Sequence, residues 1–123
     1  MKHHYNLLVK EAKRLGYKVI ETNCDSWDSH TKTICNNKRR TLEHRVIYMI
    51  HEIGHAYHYE NNKDTYFTIY PGFCSDGVSR KVSEIEQEAL AWHVGLSVSK
   101  SIGVLVDEKK YAQIKTKCML SYL

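Results

Sequence analysis

Val46-Ile-Tyr-Met-Ile-His-Glu-Ile-Gly-His-Ala-Tyr-His58 is the stretch whose reading decides the fold. Its apolar residues fall at Val46, Ile50, Ile53 and Tyr57, with Met49 and Ala56 on the same side. That is the i, i+3, i+4, i+7 spacing of a helix face packed on a core. Tyr48, His51, His55 and His58 form a second stripe beside the first. Thr41 stands where an N-cap is needed, since its hydroxyl can accept from a free backbone N–H of the first turn. Gly54 costs such a helix about 1 kcal/mol relative to Ala. In return it presents no side chain, so another backbone can pass close by.

Helical geometry gives His51-Glu52-Ile53-Gly54-His55 its chemistry. Residues four apart lie about one turn apart on one face, so the two imidazoles can grip a single zinc ion, each at roughly 2.0–2.1 Å. Glu52 then points beside the ion. From there it is placed to take a proton from an attacking water and pass it to a leaving amine. A tetrahedral zinc needs one more protein ligand, with the fourth position left open for chemistry.

Working outward, 123 residues suffice for one domain with one core, and 42% hydrophobic with 26% charged residues is the balance of a globular chain. No apolar run has the length of a membrane span, so no membrane association is expected. The opening Met1-Lys-His-His-Tyr leads directly into a mixed helical pattern, without the apolar core of a signal peptide. A cytoplasmic location is therefore expected, in the host cytoplasm if the source is viral. Cys24, Cys35, Cys74 and Cys118 contain no C-x-x-C pair, which excludes a zinc ribbon and a thioredoxin-like motif; reduced thiols are expected. The net charge is +4; Lys38-Arg39-Arg40 is the densest basic cluster, and the last helix carries Lys109, Lys110, Lys115 and Lys117. These read as solvated faces, and nucleic acid is not an expected partner.

Leu7 to Leu15 reads as a helix capped by Gly16, Tyr17 to Thr22 as a strand, and Asn23 to Ser29 as a polar turn around Trp27. Thr31 to Cys35 reads as a second strand, with an edge that an extended substrate could join by strand addition. The segment from Lys63 to Ser79 is mixed. Thr65 to Tyr70 has strand-like composition, Pro71-Gly72 and Asp76-Gly77 signal turns, and Tyr66 and Tyr70 are candidate donors to an oxyanion, though packed aromatics are the simpler reading. A helix is expected from Val82 to Ser101. A last helix capped by Asp107 carries Tyr111, Ile114, Cys118 and Tyr122 on one face. His58 could support the site or face a substrate and His93 could touch a substrate, though hydrogen-bonded or exposed histidines without a role are the simpler reading.

The third ligand belongs on the helix that follows, in Ser83-Glu-Ile-Glu-Gln-Glu-Ala-Leu-Ala-Trp92. Glu84 and Glu88 share a stripe with Trp92, whereas Glu86 shares one with Val82, Leu90 and His93. A carboxylate among apolar neighbours needs a charged partner, which favours Glu86. Two alternatives stay open. Ser83-x-x-Glu86 is also a capping box, and if Glu86 serves there the ligand is Glu88 or Glu84.

His51-Glu-Ile-Gly-His55 followed by Glu86-Gln-Glu-Ala-Leu-Ala-Trp92 resembles the small ImmA/IrrE-type metallopeptidases, minimal gluzincins whose second helix reads roughly E-x-x-A-(N/D)-x-F-A. On that pattern Glu86 matches the metal-binding glutamate, Ala89 the small residue and Trp92 the aromatic, while Leu90 stands where the family has Asn or Asp. The resemblance implies a single small zincin-like α+β domain, mainly helical with a two- to three-stranded sheet. It further implies one Zn2+ per chain on His51, His55 and Glu86, Glu52 as the base, and hydrolysis of a particular intracellular protein or peptide substrate. The competing expectation is a zinc-stabilised module that binds protein or nucleic acid without hydrolysis.

Overall fold

A computed structural model of the protein describes residues 1–66 and 77–123. The elements run α1 (Lys2–Arg14), β1 (Lys18–Thr22), β2 (Ser26–Asp28), β3 (Thr33–Asn37), α2 (Leu42–Asn61), α3 (Gly77–Ser101) and α4 (Glu108–Leu120). This is a small, mainly helical α+β domain with a three-stranded mixed sheet. The sheet order is β1-β3-β2, with β1 parallel and β2 antiparallel to β3.

α1 begins well before Leu7, because Tyr5 extends the buried stripe of Leu8 and Ala12 by one turn. It ends where expected: Gly16 takes φ 97°, a left-handed conformation that glycine adopts without a Cβ clash. β2 replaces the turn expected at Asn23 to Ser29. Its residues are mostly exposed and polar, so its composition carries no strand signal, yet Ser26, Trp27 and Asp28 align with Cys35, Ile34 and Thr33. β3 is thereby central. Its two inward residues, Ile34 and Asn36, are fully buried against α2, where Asn36 Oδ1 accepts from Arg45 Nε at 2.9 Å and its Nδ2 donates to the Arg45 carbonyl at 3.2 Å.

α2 is the axis of the domain. Thr41 Oγ1 accepts from the His44 N–H at 3.4 Å, and continuous burial runs from Met49 to Ala56. The helix is therefore not two-faced there: α1 and the sheet cover one side and α3 the other. Gly54 makes this closeness possible, since a Cβ built on it would lie 1.9 Å from the Ala91 carbonyl oxygen. Gly95 of α3 returns the fit, with its own Cβ position 2.2 Å from the Ile50 carbonyl oxygen.

α3 starts at Gly77 rather than Val82, so Ser83 lies inside the helix and the capping box at Ser83-x-x-Glu86 does not form. The expected strand from Thr65 to Tyr70 falls largely outside the described residues, as do Tyr70, Pro71-Gly72 and Cys74. Asp107 caps α4 as expected, accepting from the N–H groups of Lys109 at 3.0 Å and Lys110 at 3.1 Å. Tyr111 anchors that helix by donating its hydroxyl to the Trp92 carbonyl.

Candidate metal centre

His51, Glu52 and His55 enter from the middle of α2, buried, with potential ligand atoms all within 4.8 Å of one another. The carboxylate that meets them across the helix pair is Glu88, not Glu86. Glu88 Oε2 lies 3.2 Å from His51 Nε2 and 2.5 Å from His55 Nε2. Glu86 is exposed. The stripe it shares with Val82 and Leu90 faces solvent, with Val82 49% and Leu90 36% accessible, so their apolar character does not mark a core face. The inward stripe is Glu88, Ala91, Trp92 and Gly95, set by the close approach at Gly54. The E-x-x-A spacing is met two residues later than expected, by Glu88 and Ala91.

Each histidine has an indole against its face. Trp92 stacks on His51 with ring centroids 4.2 Å apart, and Trp27 of β2 lies nearly parallel to His55 at 5.4 Å. These contacts fix the ring planes. The Tyr122 hydroxyl donates to Glu88 Oε1, which holds the carboxylate from behind and leaves Oε2 aimed at the imidazoles. Neither Trp27 nor Tyr122 carried a site signal in sequence: one is a lone aromatic in a polar run, the other an amphipathic-helix position.

The polar bookkeeping is unusual here. Among the described residues, the buried side-chain N and O atoms without a hydrogen-bond partner are His51 Nδ1, Glu52 Oε2, Glu88 Oε2 and Trp92 Nε1. All belong to this cluster. Glu88 Oε2 sits at ion-pair distance from both imidazoles yet lacks hydrogen-bond geometry to either. Buried polar atoms are almost always satisfied, and donor atoms that converge in this way could hold a cation. Two imidazoles and one carboxylate is also a donor set of catalytic zinc sites. The residues therefore fit the ion.

Electrostatics agree. Burial raises the Glu52 carboxyl well above its ordinary range, and the charges of Glu88 and Asp25 add to this. Burial also acts to raise Glu88, but the contacts and charges of the two imidazoles outweigh it and hold Glu88 well below the ordinary carboxylate range. Burial lowers His51, which favours the neutral imidazole that a metal requires.

The cluster opens into a cavity of about 630 Å³ whose walls include Asp25, Trp27, Arg40, Tyr48 and Cys118. His58 and His93 do not line it. His58 is half-buried beside Tyr66, ring centroids 5.6 Å apart, and His93 is exposed. The Tyr66 hydroxyl donates to Gln87 Oε1 at 2.7 Å, which commits its proton away from an oxyanion. The Thr31–Cys35 segment is not open for strand addition either, because β3 is paired on both edges. Among the described strands the free edges belong to β1 and β2, and β2 is the one that borders the cavity. Among the described residues no helix is long and apolar enough to cross a membrane, and Cys24, Cys35 and Cys118 are free thiols. Comparison of the chain with protein-family models, with curated proteins and with solved structures found no match.

Proposed function

We propose that this protein is a small zinc-dependent peptidase that cleaves a particular protein or peptide substrate. One observation carries the reading: His51 Nε2, His55 Nε2 and Glu88 Oε2 converge within 2.5 and 3.2 Å, with the Glu52 carboxyl buried alongside. His51, His55 and Glu88 would hold one Zn2+. When bound, the ion supplies Lewis acidity toward a peptide carbonyl and acidifies a water. Glu52 accepts the proton from the attacking water and returns it to the departing amine, a shuttle that its burial favours by raising its affinity for a proton. Trp27 and Trp92 hold the imidazole planes. The outer edge of β2 offers backbone groups to an extended substrate beside the site. Free thiols suit a reducing compartment such as a cytosol.

The test is metal analysis of purified wild-type protein and a Glu52→Gln variant, followed by assay on a peptide library. About one zinc per chain in both, with cleavage only by the wild type, is the expected result. Zinc in both with cleavage by neither, across a library that a control zinc peptidase digests, would favour a metal-stabilised binding module. Absence of zinc after zinc-replete expression would reject the metal centre.

A further inference from the structure

We infer that Arg40 is the specificity determinant of this site and selects substrates carrying a carboxylate near the cleaved bond. The inference rests on the zinc-peptidase reading and names its substrate class.

Arg40 is held by two contacts. Its Nε donates to Asp25 Oδ2 at 2.8 Å, and its guanidinium carbon lies 3.8 Å from the centroid of the Tyr48 ring. Asp25 is itself fixed: its Oδ1 accepts from the Asn37 N–H at 2.8 Å and from Asn36 Nδ2 at 3.3 Å. The side chain of Asp25 is only 7% accessible, while that of Arg40 is 34% accessible. The guanidinium is thus oriented by one edge and one face. Among the described residues, neither Nη group has a protein acceptor, and Arg40 is the only Lys or Arg that lines the cavity.

A guanidinium with its plane fixed and its Nη edge open matches the two oxygens of a carboxylate in a fork that lysine cannot reproduce. The fixing also removes much of the ordering cost of binding. Location follows from the helix. Tyr48 precedes His51 by three residues, or about 4.5 Å along the axis, and Arg40 stacks on Tyr48. Arg40 and the two histidines line the same cavity, so an extended peptide lying in it can meet both. The other charged groups on the walls, Asp25, Glu84 and the site carboxyls, are acidic. Away from the ion, a substrate carboxylate on these walls therefore meets an opposite charge only at Arg40, and this sharpens the selection. The carboxylate can come from an Asp or Glu side chain or from a peptide C-terminus.

Three dipeptide hydroxamates separate these cases by calorimetry on zinc-loaded protein: a neutral one ending in an amide, one with a glutamate side chain ending in an amide, and one with neutral side chains and a free C-terminal carboxylate. On the wild type, at least one carboxylate probe should bind about tenfold or more tightly than the neutral one, and which one does so identifies the source. In Arg40→Gln the ratio of carboxylate to neutral affinity should fall toward one, and Arg40→Lys should restore only part of it. Equal affinities on the wild type, or a ratio that survives in Arg40→Gln, would overturn the inference while leaving the zinc site intact. Failure of every hydroxamate to bind the zinc-loaded protein would instead overturn the reading of an open catalytic zinc, and this inference with it. The wild-type comparison and Arg40→Lys decide the matter even if Arg40→Gln does not fold.

Discussion

Gly54 of α2 and Ala91 of α3 meet backbone to backbone: a Cβ on Gly54 would sit 1.9 Å from the Ala91 carbonyl oxygen, too close for any side chain. The same contact brings Glu88, one turn before Ala91 and Trp92 on α3, over His51 and His55. Gly54→Ala gains up to about 1 kcal/mol of helix propensity. It must also push two backbones apart, and overpacking of this kind typically costs 1–3 kcal/mol or more. Net destabilisation by about 1–3 kcal/mol is expected, with weakened zinc binding because Glu88 is displaced. Gly95→Ala should behave alike, its Cβ falling 2.2 Å from the Ile50 carbonyl oxygen. Urea unfolding of both variants checks this, and unchanged stability would mean that the helices pack further apart.

The carboxylate ligand is tested by three glutamine variants. Glu88→Gln should lower zinc affinity by two or more powers of ten, since the amide loses the charge that offsets the ion. Glu84→Gln and Glu86→Gln, both at exposed positions, should stay within a few-fold of wild type. Competitive zinc titration reads this directly. Loss of zinc in Glu86→Gln alone would require α3 to rotate relative to α2.

Tyr122 holds the far oxygen of Glu88. Groups that orient a ligand from behind typically contribute 10–100-fold to metal affinity. Tyr122→Phe is therefore expected to keep the fold and lose roughly tenfold in zinc affinity, measured in the same titration. An affinity equal to wild type would show that packing alone orients Glu88.

Glu11 provides a pH-dependent link between α1 and α2. Its carboxylate accepts from Arg14 and from the Tyr57 hydroxyl, and these bonds, the one from Arg14 foremost, hold it below the ordinary value of 4.5 against the opposing effect of burial. A lowered folded value means that the carboxylate adds stability above about pH 4.5, and that this is lost as pH falls through the folded value. Metal-free wild type should thus exceed Glu11→Gln in unfolding free energy at pH 7, with the gap closing below about pH 4.5. A gap independent of pH would assign the effect of the substitution to packing.

The sequence by itself determined the parts of this protein that are local. The period of apolar residues identified α2, the spacing of His51 and His55 placed both rings on one face, and Thr41 and Asp107 marked helix starts through hydrogen bonds made within three residues. It also determined the α+β class, since alternating and helical periods both occur in a chain long enough for one core. Only the tertiary structure decided which glutamate faces the histidines. Val82 and Leu90 made the Glu86 stripe look buried, but a helix stripe is buried by what packs on it, and the Gly54–Ala91 approach turned the Glu88 stripe inward instead. β2 was invisible for the same reason: Ser26, Trp27 and Asp28 form a strand because β3 lies alongside with free hydrogen-bonding groups, not because of any preference of their own. Trp27, Arg40 and Tyr122 come from three separate parts of the chain. Their meeting at one cavity follows from how the helices and the sheet pack, a property of contacts distant in sequence that no local pattern encodes.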